Sequence, residues 1–383
     1  MDCLKSLLLL VLILTGATPC FAKDDKRFAS VTSYLEESVA NETVAGGSVL
    51  VFHKGDIVFQ SGFGYADIKS QRPFQIDTPV VVASVSKPLL GTALYRLVDT
   101  GRLDVSTPVS KYLAEFSACK LESGLPVKRA PTVTELLTHT AGLRYDDAPE
   151  GRIWFQDWTK NQTLEFVVGK VAIDFPFKTQ PGTRFAYSGI GTEIAARVGE
   201  VITDLPRNEM LEALLCQPLG MKYTFYRDER GLQKLSGPMP TRYFRSKKSG
   251  KLLVSTRRDV PAVNRYSSSG GNIISTAPDL LRWLLMIRNG GVHEGTTFLS
   301  PDTVSNMLKP HGPGKTAHGG LFVRETNLAG EPVHWGHTGS SGTSVWFDRA
   351  KDTIGIMLTQ TKFSDIRPFR TELQKRITSA VIK

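Results

Sequence analysis

Cysteine is scarce in this 383-residue chain: there are four, and Cys3 and Cys20 fall within the first 22 residues. That excludes a disulfide scaffold, because Cys119 and Cys216 alone can close at most one bridge. One bridge between them and two buried free thiols are both compatible with the sequence. Long apolar runs are missing too: Leu7–Leu14 is far short of the roughly 20 residues needed to cross a bilayer. Several catalytic signatures are incomplete. There is no G-x-S-x-G elbow. Gly314-Lys315-Thr316 imitates the end of a phosphate-binding loop, but Lys309 stands where its first glycine belongs. His293-Glu294 opens a zinc-protease pattern, but Thr297 occupies the place of the second histidine. Nothing in the sequence calls for a metal or another cofactor.

Acidic residues are outnumbered, 37 against 47 Lys and Arg, for a net charge of +10. The densest basic stretch comprises Arg242, Arg245, Lys247, Lys248, Lys251, Arg257, Arg258 and Arg265. It surrounds Ser249-Gly250, a turn signal between strand-like runs, and carries no aromatic-rich binding signature. It reads as a solvated hairpin, with an anionic envelope surface rather than nucleic acid as its partner.

The N-terminus has the form of an export signal over residues 1–22: Lys5 in a short head, the apolar run, then small residues ending at Cys20-Phe21-Ala22. The expected mature chain, 23–383, is periplasmic or extracellular, with no stable membrane span. Its composition suits one large domain or two lobes. Ser48–Phe52 and Ile57–Gln60 flank a turn at His53–Asp56 and read as paired strands. Gly320–Arg324, Val333–Trp335, Thr343–Phe347 and Thr353–Leu358 read as further strands, ahead of a final helix over about Pro368–Val381. Helical signals dominate between, at Thr132–His139, Ile190–Thr203 and Pro278–Asn289. The expectation is an α+β architecture: an antiparallel sheet from both termini (about 28–80 and 266–383) with an inserted, mainly helical lobe (about 81–265).

The most informative local feature is Ser84-Val85-Ser86-Lys87. Residues three apart share a helix face, so a helix opening near Ser84 brings an amine beside a hydroxyl. Pro88 fits the first turn, and Leu89, Leu90, Ala93, Leu94 and Leu97 make one buried face over about four turns before Gly101. On this evidence alone Ser84 is either a nucleophile or a plain helix cap. Ser117-Ala118-Cys119-Lys120 has the same spacing, but Gly124 and Pro126 deny it a long helix.

The companion motifs decide between the two. Ala83–Lys87, the run LLTHTAGL over Leu136–Leu143, Pro181-Gly182-Thr183 ahead of Tyr187-Ser188, Pro218–Met221, Gly270-Gly271 through Ser275-Thr276, and Gly336–Gly339 occur in one order. In that order the chain resembles the serine beta-lactamase and penicillin-binding superfamily, in the class C-related branch that includes esterases and D-amino-acid peptidases. The resemblance implies that Ser84 is acylated, that Lys87 activates it and that Tyr187 shuttles the proton. It implies that His337, Thr338 and Gly339 line the opposite wall, and that the backbone N–H groups of Ser84 and Ser340 form an oxyanion hole. Two departures from the pattern stand out. Gly189 replaces an asparagine side chain able to bond a substrate amide, and His337 replaces a lysine. Both favour an esterase or other non-lactam hydrolase over a beta-lactamase, giving an exported Ser-Lys-Tyr serine hydrolase that forms an acyl-enzyme on Ser84 and hydrolyses a small ester or amide, esterase-like preferred. A penicillin-binding D-peptidase or beta-lactamase is the alternative, and a non-catalytic module binding cell-wall fragments is a third. His139 reads as structural and His334 as a solvent-facing strand position.

Overall fold

The structure, a computed structural model, describes residues 25–143, 162–255, 266–314 and 316–382. The expected export signal lies outside these residues, as do Arg257, Arg258 and Arg265 of the basic stretch and Lys315 of the imitation phosphate loop.

Helix α1 (Ala29–Ala40) precedes β1 (Gly46–His53) and β2 (Asp56–Asp67), which turn tightly at Lys54-Gly55, both with positive φ. With the short β3 (Arg72–Pro73), they join four late strands: β11 (Phe322–Thr326), β12 (Pro332–Thr338), β13 (Ser344–Asp348) and β14 (Thr353–Thr359). The seven run β11-β12-β13-β14-β1-β2-β3, antiparallel throughout. The two ends of the chain therefore build one sheet, because β1 pairs with β14 from Gly47↔Thr359 to His53↔Thr353.

Alternation along the strands feeds two cores. Leu50 and Phe52 of β1, with Ile354 and Ile356 of β14, point into the large central core. Val49, Val51 and Met357 face the other way, onto Val31 and Leu35 of α1 and Phe369, Leu373 and Ile377 of α10 (Arg367–Ile382). Strands covered on both faces need continuous apolar sequence, which β1 supplies.

Between the termini lie α2 (Ser86–Asp99), α3 (Val133–Leu137), α4 (Leu164–Asp174), α5 (Gly189–Thr203), α6 (Arg207–Leu211) and α7 (Glu229–Gln233). A three-stranded sheet, β4 (Val80–Val81), β8 (Ile273–Ser275) and β5 (Phe225–Tyr226), ties the start of this region to its end. The basic stretch forms the expected hairpin, β6 (Tyr243–Arg245) with β7 (Leu252–Val254), and Lys247, Lys248 and Lys251 are exposed on it. Helices α8 (Ala277–Arg288) and α9 (Pro301–Leu308), separated by the small ladder of β9 (Val292–His293) and β10 (Thr296–Thr297), complete the chain.

Helix α2 differs from its expected single buried face. It is buried on nearly every side, including Pro88, Gly91, Thr92 and Tyr95, because it threads the middle of the molecule. Its polar groups are satisfied internally: Thr92 donates to the Pro88 carbonyl (2.9 Å) and accepts from Trp283 Nε1 (2.9 Å). At Gly91 a Cβ would lie 2.3 Å from the Gly319 carbonyl, so only glycine admits that loop. Cys119 and Cys216 are both free, buried thiols. Burial raises the Cys119 pKa to about 11, which leaves it an inert thiol.

Candidate active site

Ser84 sits in a single 3₁₀ turn, Ala83–Val85, that leads straight into α2. Ala83 has φ +48, a conformation that disfavours a side chain and costs about 1–3 kcal/mol. The strain is located at the residue that aims Ser84, which is half-exposed while its neighbours are buried. Lys87, one helical turn on, is buried and places Nζ 3.3 Å from Ser84 Oγ and 2.9 Å from the Gly270 carbonyl. Among the described residues no carboxylate lies within ion-pair distance of it. The Tyr187 ring centroid is 4.9 Å from Nζ.

Tyr187 lies two residues before α5, and the LLTHTAGL run holds it in place. Helix α3 is fixed by a capping box between Thr132 and Glu135, and Arg129 grips the same Glu135 carboxylate with two nitrogens (2.7 and 2.5 Å). Just past the helix His139 turns with φ +59. Its carbonyl accepts from Ala186 N–H (2.8 Å) and its Nδ1 accepts from Ser188 N–H (3.3 Å). The two contacts bracket Tyr187, whose ring lies 4.3 Å from the imidazole. His139 is thus structural, as expected, but its structural task is to seat the tyrosine.

Burial, with Lys87 nearby, pushes the His139 pKa down to about 3. The sign of the linkage follows: the unfolded imidazole, near 6.5, binds a proton that the folded one refuses, so stability falls as pH drops from 6.5 towards 3. At pH 5 this one group should cost about 2 kcal/mol relative to pH 7. We expect His139→Asn, a residue that tolerates positive φ and keeps an acceptor, to lose that much less stability over the interval in denaturant melts. Equal pH slopes for the two proteins would refute it.

The opposite wall is the end of β12 and the turn after it. At Gly339 a Cβ would meet the Val82 carbonyl at 2.3 Å and Ala83 Cβ at 3.0 Å, so glycine lets the turn close against the backbone that delivers Ser84. Ser341 Oγ donates to the Val81 carbonyl (2.7 Å) and Thr343 Oγ1 to the Val82 carbonyl (2.8 Å), fastening the turn just after Ser340 to that segment. Thr338 is half-buried and Ser340 exposed. His337 is buried, bonds Thr338 O through Nδ1 (3.0 Å), and is held well below its usual pKa by burial and then by Lys87, His139 and Arg324. It is a neutral imidazole. Phe322 of β11 bridges the two walls, with its ring 5.1 Å from His337 and 6.3 Å from Tyr187. His334 corrects the solvent-facing expectation: it is buried, since β12 is an interior strand, with Nδ1 3.5 Å from Glu325.

The structure thus brings together Ser84, Lys87, Tyr187, His337, Thr338, Gly339 and Ser340. It adds a support that the sequence reading missed. Glu193, fully buried on α5, accepts from Tyr266 Oη (2.8 Å), Ser268 Oγ (2.7 Å), Ser269 N (2.9 Å) and Ser269 Oγ (2.6 Å). Arg207 lies 3.6 Å away and donates to Tyr266 Oη and Ser269 Oγ, both at 3.2 Å. This network anchors the segment whose next residue, Gly270, accepts from Lys87. The available signal was a lone carboxylate in the apolar run Ile190–Val198, a placement that requires buried partners.

Comparison with known proteins gives the family and the fold. The chain is 27% identical to esterase EstB of Burkholderia gladioli over 375 residues, covering 88% of this chain and 91% of that one. It is 27% identical to the D-alanyl-D-alanine-carboxypeptidase/endopeptidase AmpH of Escherichia coli, over 68% of this chain and 62% of that protein. Its fold matches that of EstCE1, a hydrolase with promiscuous acyltransferase activity, with TM-score 0.76 and 24% identity over 94% of this chain and 99% of that one. The beta-lactamase family profile matches residues 31–378, and the chain belongs to the beta-lactamase family of serine hydrolases.

Proposed function

We propose that this protein is an exported hydrolase that forms an acyl-enzyme on Ser84 and prefers a small ester to an amide or lactam. The observation that carries the preference is the contrast between the two halves of the site. The Ser84, Lys87 and Tyr187 group is assembled, while the neutral His337 and side-chain-free Gly189 stand where a cation and an amide-binding side chain would be needed. In this reading Lys87 takes the Ser84 proton and Oγ attacks the ester carbonyl. The backbone N–H groups of Ser84 and Ser340 receive the oxyanion, and Tyr187 passes a proton to the departing alkoxide and regains one from Lys87, which returns to the free amine. Water then attacks the acyl-enzyme, releasing the acid and restoring the serine. The likeness to EstB favours this reading, and the export segment at residues 1–22 supports its location outside the cytoplasm.

An amide substrate would bring an N–H that Gly189 cannot satisfy, and an unpaired buried donor costs about 1–3 kcal/mol, a factor of roughly 5 to 150. The expected result is a kcat/KM for a short-chain nitrophenyl ester about ten-fold or more above that for a chromogenic lactam or a D-alanyl dipeptide amide. The D-peptidase reading, favoured by the likeness to AmpH, wins if the order is reversed. Stoichiometric binding of cell-wall fragments without an acylation burst would instead support the non-catalytic module.

A further inference from the structure

Residues 231–278 carry nine Lys and Arg against one acid, Asp259. The hydrolase reading uses none of these charges. The β6–β7 hairpin gathers three of them at its turn, where Lys247, Lys248 and Lys251 are all exposed, and among the described residues no carboxylate pairs with their ammonium groups. Two acids do touch the hairpin, and both are taken up by its backbone. Asp365 accepts from Arg245 N–H (2.8 Å) and Glu42 from Leu252 N–H (3.4 Å). The turn therefore keeps its positive field.

The same hairpin holds apolar side chains in water. Leu253 and Val254 on β7 are 45% and 51% exposed, and Leu253 stands opposite the half-buried Phe244 in the ladder. Cross-strand partners share a face, so Leu253 and Phe244 make one apolar patch beside a basic turn. A single exposed leucine needs no explanation. The combination does, because cations draw anionic headgroups over a Debye length while apolar side chains gain only by leaving water, and an anionic lipid surface satisfies both.

The root of the hairpin is fastened to the active site. Tyr243 N–H donates to the Gln360 carbonyl (2.8 Å), and the Tyr243 carbonyl accepts from Lys362 N–H (3.0 Å). One residue on, Phe363 N–H donates to the Ser340 carbonyl (3.1 Å). A short hairpin arm spans roughly 15–20 Å, so a surface held at the lysine turn lies close to the catalytic face.

We propose that the β6–β7 hairpin is a membrane-docking element: Lys247, Lys248 and Lys251 draw it onto an anionic lipid surface, Leu253 and Val254 enter the headgroup boundary, and the active site is held beside the bilayer. This goes beyond the hydrolase reading and stands whether the substrate is an ester or an amide. A nucleic acid would match the charge but leave the apolar pair in water, so the hairpin selects lipid.

Co-sedimentation of the full chain with vesicles tests it, using phosphatidylcholine alone and equimolar phosphatidylcholine and phosphatidylglycerol. Residues 1–22 are common to every variant, so the ratio of anionic to neutral partition reads the hairpin. Wild type should favour the anionic vesicles by about a hundred-fold at low salt, and the ratio should approach one at molar salt. The triple variant Lys247→Gln, Lys248→Gln, Lys251→Gln should lose most of that preference, since each charge near the surface contributes about five-fold. Leu253→Ser with Val254→Ser should weaken binding to the anionic vesicles by about three- to ten-fold at unchanged charge. A wild type without anionic preference, or a ratio that the glutamine triple leaves unchanged, overturns docking. Full binding by the serine pair would make the turn a general polyanion site and overturn the lipid assignment.

Discussion

Ser84→Ala should lose covalent labelling by an alkyl phosphonate altogether, and Lys87→Ala should slow that labelling by about a hundred- to ten-thousand-fold. A serine hydroxyl is a weak nucleophile until a base takes its proton, and Lys87 Nζ, 3.3 Å from Oγ, is the nearest group able to do so. His139 and His337 are both close, and both are held neutral by burial, yet neither is hydrogen-bonded to Ser84. His139 spends its Nδ1 on Ser188 and His337 its Nδ1 on Thr338, so each ring is fixed in a supporting position. Lys87→Arg should rescue little, because a guanidinium keeps its proton. Intact-mass analysis after timed exposure to the phosphonate reads all three variants, alongside ester turnover. Label appearing on Ser84→Ala at the wild-type rate would sink the nucleophile assignment. A Lys87→Ala rate within a factor of about three of wild type would remove the base, since general-base catalysis contributes far more.

How much of this was legible beforehand depended on whether the information is local. The strands of both termini could be read because alternation and turn residues are short-range, and Lys54-Gly55 closes the first hairpin where the sequence places its turn. The pair Ser84 and Lys87 could be read because a helix fixes i and i+3. The order of the companion motifs then supplied Tyr187 and His337, which no spacing argument joins to Ser84. Two features escaped. The burial of His334 depends on β11 and β13 flanking its strand, a tertiary fact that an isolated strand pattern does not carry. The role of Glu193 depends on a segment more than 70 residues away, Tyr266–Ser269, whose hydroxyls gain meaning only when a carboxylate arrives among them. Sequence reasoning handles helix faces and turns well, and polar networks built across distant segments poorly.

That network sets the second large effect. Glu193→Ala should destabilise the protein by about 3–5 kcal/mol, the cost of removing one partner from a buried charged pair. Arg207 would be left largely enclosed, with its side chain 14% exposed, beside hydroxyls that have lost their acceptor. Glu193→Gln should fall between, because the serine and tyrosine hydroxyls can rotate to meet an amide, whereas the Ser269 backbone N–H, 2.9 Å from one carboxylate oxygen, cannot. The damage should reach the chemistry as well. Helix α5 begins two residues after Tyr187 and carries Glu193, which pins the segment ending at Gly270, and the Gly270 carbonyl is the closer of the two partners of Lys87 Nζ, 2.9 Å against 3.3 Å. One rigid helix therefore sets the tyrosine directly and the lysine through the loop. Denaturant unfolding gives the stability change, and phosphonate labelling measured well below the unfolding midpoint gives the effect on Ser84 in folded protein. A folded Glu193→Gln variant should label more slowly than wild type while its Tyr187 environment is retained. If Glu193→Ala unfolds within about 1 kcal/mol of wild type, the buried-pair cost is absent and the network is not the anchor described. If the folded Gln variant labels at the wild-type rate, Glu193 stabilises the fold without positioning Lys87.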